Sequence, residues 1–434
     1  MILHKFREII LLLSMIWLAG CTPQAGGPPI DIEESAYSDS AGLQTETEDP
    51  VRHGTIQGKG IDTLDEDMQS AILNYMERYY QSIASLSIKN SSDLYAESAE
   101  IQELLDRSAW EYMIGLRSGQ EADLRLADYS YDLTMDGTAQ TERGIVTVSL
   151  TEHSIQNFMQ HPDIDSELFN IQHRFVLKRQ DGDWFILEHR QSDGIYYNVM
   201  GNFWNSTQNE LPDTDYFKTR KDMLLQQNKE QISLRAQDHA SIKIPQTEYP
   251  YERDSAVAYA SEWIGKRNQE WSDFTGRGGN CQNFVSQCLL AGGIPIDIEG
   301  ESIWKWFGED LNERNDCEGN SSSWISVNGF YQYASTNRGY GLSAVPDAPY
   351  QEGVPGDILQ MGFPGNWNHV VLISEVIQGE DGHFIDYLVH SNTSDLRNFP
   401  ASAYPLPCQS LIKICGWNGH RDPEPYMKGK WNAG

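Results

Sequence analysis

The stretch that decides the fold of the C-terminal half is Gly278-Gly279-Asn280-Cys281-Gln282-Asn283-Phe284-Val285-Ser286-Gln287-Cys288-Leu289-Leu290-Ala291-Gly292-Gly293. Between its two glycine pairs the apolar residues recur at helical spacing, which predicts a helix that begins at Cys281 and has one buried face. Unpaired backbone N–H groups and the positive end of the helix dipole at that position favour a thiolate over a thiol. Cys281 is therefore a candidate nucleophile, which needs a base.

Two candidate bases lie on apolar runs further along the chain. His369 leads the run 368–373, and His390 lies near the end of the run 384–392; both runs are typical of buried strands. The segment 378–382 between them contains the Gly and Asp residues of a hairpin turn, so we expect antiparallel strands that bring the two histidines together. A cysteine at a helix start, a histidine on the facing strand and a third polar group that orients the histidine form the arrangement that nucleophilic acyl transfer requires.

Several short motifs carry a family resemblance. Asn280-Cys281-Gln282-Asn283-Phe284-Val285 is similar to the Asp-Cys-Ser-Gly-Phe-Val element of NlpC/P60-type cysteine peptidases, and Val354-Pro355-Gly356-Asp357-Ile358-Leu359 resembles the strand entry that precedes their histidine. Tyr251-Glu252-Arg253, Ala256-Val257-Ala258-Tyr259-Ala260 and Asn283-Phe284-Val285-Ser286-Gln287 resemble still more closely the putative amidase domain family of that superfamily. The resemblance covers roughly residues 250 to 420, with Asn280 in place of the usual Asp and a longer hairpin than is common in the peptidases.

The resemblance implies an α+β domain of papain-like geometry, in which the cysteine helix packs on an antiparallel sheet, and it implies a cysteine amidohydrolase without a cofactor. In the mechanism that these placements predict, Cys281 attacks an amide carbonyl and His369 transfers the proton. The backbone N–H groups of Cys281 and Gln282 stabilise the oxyanion. His390 orients the His369 ring, with Asn392 as the alternative for that role because it lies on the same strand face.

The first 21 residues resemble a bacterial lipoprotein signal. Lys5 and Arg7 precede an apolar run at 9–18, and Leu18-Ala19-Gly20-Cys21 follows. This resemblance implies lipidation of Cys21 and a location on the outer face of the cell membrane. An ordinary signal peptide or an N-terminal anchor is the alternative. Residues 22–58, rich in Gly, Pro, Ser, Thr, Asp and Glu, are predicted to form a disordered tether.

A separate α+β domain is predicted at residues 59–204. The apolar spacing predicts helices near 61–83 and 99–116, followed by strands near 124–135, 144–150, 169–178 and 184–190. This order is loosely similar to the NTF2-like fold, in which helices pack on a curved antiparallel sheet. Four histidines are scattered through the region, so we interpret it as a spacer or protein-binding module: His153, His161, His173 and His189. A helical linker at 205–249 leads to the amidase-like domain at 250–434.

Composition narrows the partners. A formal net charge of −31 argues against nucleic-acid binding, which needs clustered Lys and Arg, and against tight adsorption to anionic wall polymers or lipid headgroups.

The remaining cysteines and aromatic residues are interpreted as structural. Cys288 is expected to pack as a small hydrophobic residue, whereas Cys317, Cys408 and Cys415 are candidates for a disulfide. We expect most aromatic residues of 304–333 to be core rather than the lip of a cleft. Zinc held by a cysteine with His369, His383 and His390 is a weaker hypothesis, because neither His-Glu-x-x-His nor Cys-x-x-Cys occurs.

Three functions fit the sequence. The favoured hypothesis is a membrane-anchored, extracytoplasmic cysteine amidase or peptidase acting on cell-wall peptide or another extracytoplasmic amide. The second is a non-catalytic envelope lipoprotein that keeps the fold and binds a partner or a wall component. The third is an acyltransferase that uses the same thiol, with an amine in place of water.

Overall fold

A mixed architecture of helices and one large, mostly antiparallel sheet confirms the predicted α+β class. The computed structural model describes residues 53–142, 144–201, 215–237, 242–300 and 302–419. Cys21, the lipoprotein signal and most of the predicted tether lie outside the described residues. The described residues belong to one compact unit, Arg52–Gly434.

In the described residues, the first half of the chain runs from a short strand through two long helices to five antiparallel strands and two further helices. Its helices are α1 (Glu66–Ser85), α2 (Glu100–Ser118), α3 (Gly194–Met200) and α4 (Tyr216–Gln237). Its strands are β1 (Gly54–Gly58), β2 (Leu126–Met135), β3 (Gln140–Glu142), β4 (Ile145–Phe158), β5 (Ser166–Gln180) and β6 (Asp183–Gln191). Both predicted helices and all four predicted strands are present, and Asp181 and Gly182 take the positive φ of a tight hairpin turn.

The second half places helices before a run of strands. Its helices are α5 (Arg253–Trp263), α6 (Cys281–Ala291), α7 (Ser322–Ile325) and α8 (Val327–Thr336). Its strands are β7 (Gly341–Ala348), β8 (Ile358–Phe363), β9 (Asn366–Gln378), β10 (Phe384–Ser391), β11 (Asp395–Pro400) and β12 (Cys408–Asn418). The prediction that a helix begins at Cys281 is confirmed.

A continuous sheet runs through both halves. Its strand order is β1-β2-β4-β5-β11-β10-β9-β8-β12-β7, with β3 paired to β4 and β6 paired to β5. The halves meet where β11 pairs antiparallel with β5, with Asp395 opposite Phe169. The domain boundary at residue 250 stays a prediction, since the strands on either side of it share this sheet.

The central strands are buried on both faces. On β9, Val371 and Ile373 belong to a core shared with the first half, whereas Val370 and Leu372 belong to the core beneath α5 and α6. This two-sided burial explains why the strand reads as a continuous apolar run rather than an alternating one. The aromatic residues of 304–333 are largely core, as expected; Trp304, Trp324 and Phe330 are fully buried.

Candidate active site

The start of α6 is held by a buried amide, that of Asn280. Its Nδ2 donates to Asn392 Oδ1 at 2.9 Å, and its Oδ1 accepts from the backbone N–H of Phe274 at 3.1 Å and from Asn283 Nδ2 at 2.9 Å. Its backbone N–H donates to Thr393 Oγ1 at 2.9 Å. The residue that replaces the usual Asp therefore joins the helix start to the segment after β10.

The two glycines before Asn280 shape the approach to the helix. Gly278 and Gly279 both have φ of 111°, a backbone conformation that residues with a Cβ rarely adopt. An added Cβ would meet no atom within 4 Å at either position, so the conformation rather than space requires glycine there.

The polar residues of the motif are anchors for α6. Asn283 Oδ1 accepts from Trp324 Nε1 at 2.9 Å, and its Nδ2 donates to the Ser272 carbonyl at 3.0 Å. Ser286 Oγ donates to the Trp324 carbonyl at 2.8 Å. These fully paired side chains fix the helix, and with it the position of Cys281.

Cys281 is 7% exposed and lies against β9. Burial raises the pKa of its thiol, while hydrogen bonds from the backbone N–H groups of Val370, Gln282 and Cys281 itself lower it; the net direction is upward. The helix start does supply N–H groups to the sulfur, as expected, but the structure favours a neutral thiol over the expected thiolate. The sulfur lies beside the amide of Val370, the residue that follows His369.

The His369 ring is 9% exposed and is held through one nitrogen. Its Nε2 lies 3.0 Å from Ser391 Oγ and 3.3 Å from Tyr404 Oη, and the rings of His369 and Tyr404 stack with centroids 5.5 Å apart. Burial lowers the pKa of His369 to about 4. The imidazole is therefore neutral at pH 7 and can accept a proton.

Tyr404 connects the histidine to the cysteine electrostatically. Burial raises the pKa of Tyr404, a hydrogen bond with Ser391 lowers it, and Cys281, when ionised, raises it further. Tyr404 thus contacts His369 and lies close enough to Cys281 to be affected by its charge. Among the described residues, these are the observations that bring Cys281 and His369 into one site.

The other two predicted side chains make different contacts. His390 lies opposite Leu372 in the β9–β10 register, and its Nδ1 accepts from the Asn398 backbone N–H at 3.3 Å. Burial, with a contribution from Arg397, lowers the pKa of His390 to about 4. Asn392 hydrogen-bonds Asn280 rather than a histidine. In this structure Ser391 and Tyr404 occupy the place beside His369 that was predicted for His390 and Asn392.

The Pro-Gly-Asp motif holds the domain together rather than entering the site. Asp357 is fully buried, and its Oδ1 accepts from Arg253 Nη1 and from the Ile414 backbone N–H, both at 2.8 Å. Tyr251 Oη donates to the Gly356 carbonyl at 3.0 Å. The Tyr251-Glu252-Arg253 and Pro355-Gly356-Asp357 segments therefore dock on each other through an ion pair whose carboxylate is buried.

A cavity of about 630 Å³ opens beside His369. Gly278, Gly279, Thr393 and Tyr404 line it on the amidase-like side. The first half of the chain supplies the opposite wall, which includes Tyr79, Met113, Arg117, Gln156 and Ile171. The region predicted to be a spacer or binding module thus forms part of the cavity that contains the candidate base.

The histidines of the first half are not all isolated. His173 Nδ1 lies 3.0 Å from His189 Nε2, His173 Nε2 lies 2.7 Å from Glu152 Oε2, and His189 Nδ1 lies 2.8 Å from Tyr75 Oη. This correction to the interpretation of scattered histidines follows from the β5–β6 register, which makes the two strands neighbours. The network is fully buried and lines no part of the cavity, so we interpret it as core.

In the part of the chain that the structure describes, the side chains form neither the predicted zinc site nor a disulfide. No group of three or more His, Cys, Asp or Glu residues there is arranged to hold a metal ion. The five cysteines of the described residues, Cys281, Cys288, Cys317, Cys408 and Cys415, are free. No helix in the described ranges is long and apolar enough to cross a membrane.

Ser391, Tyr404 and the backbone N–H of Val370 are the site groups that sequence reasoning missed. Ser391 lies between His390 and Asn392, the two residues predicted to orient the His369 ring. The sequence therefore identified the correct strand but not its register. Tyr404 follows β11, a strand that was not predicted. No sequence signal pointed to Arg117 or to the rest of the opposite wall.

One solved structure shows a weak likeness to this chain. The crystal structure of the intermembrane space region of the chloroplast protein ARC6 is 13% identical, covers 28% of this chain and 94% of its own, and aligns with a TM-score of 0.16. That score is too low to indicate a shared fold.

Two sequence comparisons concern the second half. "Uncharacterized protein YhbB" of Bacillus subtilis (strain 168) is 31% identical over 151 residues, which are 34% of this chain and 43% of the relative. The chain thus matches less than half of the length of that relative. Residues 250–411 match the family model described as "Putative amidase domain". That part of the chain is therefore similar to an amidase-like family, which suggests amide hydrolysis.

Proposed function

We propose that this protein is a cysteine amidohydrolase in which Cys281 is the nucleophile and His369 is the general base and acid. The observation that carries the proposal is the position of the Cys281 sulfur. It lies at the start of α6 and receives a hydrogen bond from the N–H of Val370, next to a neutral histidine at a cavity. The match of residues 250–411 to an amidase family supports amide chemistry.

The hydrogen bonds of the His369 ring indicate which of its nitrogens accepts the proton of the thiol. In the described residues the hydrogen bonds of the His369 ring run through Nε2, to Ser391 and Tyr404. We therefore assign Nδ1 as the acceptor of the thiol proton. As the sulfur attacks the substrate carbonyl, a C–S bond forms and the carbonyl oxygen takes the negative charge, stabilised by the backbone N–H groups of Cys281 and Gln282.

The second half of the cycle returns the enzyme to its starting state. The C–N bond breaks, and the amine leaves with the proton from His369. Water then attacks the thioester while His369 accepts a proton, and the carboxylic acid departs as the thiol forms again. Because burial keeps Cys281 neutral, proton transfer accompanies attack and no stable ion pair precedes it.

We further propose that the enzyme belongs to the NlpC/P60-like superfamily, that its first half is NTF2-like and that lipid on Cys21 anchors it at the outer face of the cell membrane. Cell-wall peptide is the substrate class that this location favours. The support comes from the motifs around Cys281 and Asp357 and from the residues before Cys21. His390 and Asn392 retain a supporting role in this proposal, since both are buried and Asn392 accepts a hydrogen bond from Asn280, the residue before Cys281.

The test is hydrolysis of cell-wall peptides and simple peptide amides by the full chain, with products identified by mass spectrometry. We expect new amine and carboxylate products with the wild type and with Cys288→Ala, a buried cysteine of the same helix. Cys281→Ala should lower the rate by about a thousandfold or more. Equal rates with Cys281→Ala would refute the proposal. Added amines that become acylated would instead favour the acyltransferase hypothesis.

A further inference from the structure

Arg117 is a buried cation with unused donors in the cavity wall. It lies in the last turn of α2 with 3% of its surface exposed, and it lines the cavity that also contains His369. Its Nη2 donates to Gln156 Oε1 at 3.3 Å, and its guanidinium lies 5.1 Å from the centre of the Phe158 ring. In the described part of the chain, Nε and Nη1 find no hydrogen-bond partner.

Such an arrangement is costly unless a ligand completes it. Burial removes the guanidinium from water, and two groups that must donate are left without an acceptor. The acceptor that it does have is the neutral amide of Gln156. Native structures pair nearly all buried polar atoms, so unused donors beside a cavity call for an acceptor that comes from outside the chain.

Among the described residues of the cavity wall, the one acidic side chain, Asp193, already caps a helix. Asp193 lines the same cavity and acts electrostatically on Arg117, but its Oδ1 accepts from the Ile195 backbone N–H at 2.5 Å and so caps α3. Burial raises the pKa of Asp193, whereas the charge of Arg117 lowers it; when ionised beside Arg117, Asp193 repels a dianion more strongly than a monoanion. The cavity therefore favours a ligand with a single negative charge.

The shape and lining of the cavity narrow the ligand further. Met113, Leu168, Ile171 and Phe399 give it apolar walls, and its volume of about 630 Å³ is within the range of small-molecule sites. The fork of a guanidinium matches the two oxygens of a carboxylate.

We propose that Arg117 binds a free carboxylate of the substrate, so that the first half of the chain selects amides that carry an acidic group close to the bond that Cys281 attacks. This inference rests on the proposed function for the identity of the attacked bond. The binding of the carboxylate itself does not depend on that function. A peptide with a free C-terminal carboxylate and a small apolar side chain has the required chemistry.

The experiment measures binding to the full chain carrying Cys281→Ala, so that no turnover is needed. The probes are N-acetyl-alanyl-alanine, its C-terminal amide and inorganic phosphate, each titrated calorimetrically. We expect the carboxylate to bind at least about tenfold more tightly than the amide, as one charge-assisted pair provides, and more tightly than phosphate. No preference over the amide, or tighter binding of phosphate, would overturn the proposal.

Substitutions on α2 test whether Arg117 is the source of the preference for the carboxylate. Arg117→Met should abolish it, whereas Arg107→Met should leave it unchanged because Arg107 is exposed and pairs with Glu111. Arg117→Lys keeps the positive charge but loses the two parallel N–H donors, so it should reduce the preference for the carboxylate over the amide. This variant tests the proposal if Arg117→Met does not fold. A full preference in either Arg117 variant would refute the assignment. A carboxylate preference in a protein that hydrolyses no amide would refute the proposed function and leave this inference standing.

Discussion

The side-chain amide of Asn280 donates to Oδ1 of Asn392 at 2.9 Å, and this bond ties the residue before Cys281 to the segment that leaves β10. The same strand carries Ser391, which contacts His369. The nucleophile and the base are therefore positioned by one buried connection between a helix and a strand.

Removing that connection should cost both stability and reactivity. Asn280→Ala removes the side-chain partner of Asn392 and of the Phe274 N–H and one of the two acceptors of Asn283 Nδ2, so we expect the free energy of unfolding to fall by about 2–4 kcal/mol and acylation of Cys281 to slow. In Asn280→Asp the amide of Asn392 can turn to donate, and the carboxylate suits the helix start. This variant should lose less than about 1 kcal/mol. Chemical denaturation of both variants checks the order, and an equal loss would contradict it.

The hydroxyl groups beside His369 should matter for rate rather than for folding. We expect Ser391→Ala and Tyr404→Phe each to slow acylation of Cys281 by roughly tenfold, which corresponds to one hydrogen bond of about 1.4 kcal/mol. Tyr331→Phe is the matched control, because its hydroxyl bonds Asp347 on the surface. The measurement is the acylation rate with an activated ester at pH 7. Unchanged rates in both site variants would show that His369 is oriented by other groups.

The sequence contained enough to place Cys281 at a helix start, because glycine pairs bound the helix and its apolar residues keep one face. It also predicted the β9–β10 hairpin. The sequence did not predict the register of that hairpin. In the structure the β9–β10 pairing shifts between Phe384 and Asp386 and again between Leu388 and Val389, and these irregularities set His390 opposite Leu372. A one-residue difference of register moves every side chain to the other face, which is why Ser391 rather than His390 meets His369.

The cavity-wall residues of the first half could not be predicted from the sequence for a different reason. Arg117 and Gln156 reach the site because β5 pairs with β11, a contact between residues more than two hundred positions apart. Apolar spacing reports which face of a helix is buried, but not against which part of the chain. The same limit hid Tyr404, whose position depends on the turn after β11.

The buried histidines predict a loss of stability in acid. The folded-state pKa values of His369 and His390 are about 4, below the ordinary value of 6.5, so the unfolded chain binds more protons between these values. Their contribution is full above pH 6.5 and disappears as the pH falls toward 4, at about 3 kcal/mol for each histidine. Asp386, whose pKa burial raises to about 6, acts in the opposite direction and offsets part of the loss.

Thermal melts between pH 7.5 and 4.5 measure this effect. We expect the melting temperature of the wild type to fall steadily below pH 6.5, and the fall to be shallower in His390→Gln, which lacks one of the two titrating groups. His383→Gln is the control and should not make the fall shallower, because Asp381 raises rather than lowers the pKa of this exposed histidine. A melting temperature that does not change over this range, or equal slopes in the three proteins, would contradict the assignment of neutral buried histidines.

The ion pair between Arg253 and Asp357 should contribute strongly to stability. Asp357→Asn leaves Arg253 without its carboxylate and weakens the bond to the Ile414 N–H, so the free energy of unfolding should fall by about 3–5 kcal/mol. Asp254→Asn, an exposed change on the same helix as Arg253, should cost less than about 0.5 kcal/mol. Urea titrations compare the two variants, and similar midpoints would show that the pair contributes little.

Acyl transfer to Cys281 is tested most directly by trapping the thioester. The full chain is exposed briefly to p-nitrophenyl acetate at pH 7, and the acetylated residue is identified by peptide mass mapping. We predict an acetyl group on Cys281 in the wild type and in Cys288→Ala, none at that site in Cys281→Ala, and slower acetylation and deacetylation in His369→Ala. Acetylation of Cys281 no faster than that of the exposed Cys317, or a rate that His369→Ala leaves unchanged, would contradict the mechanism.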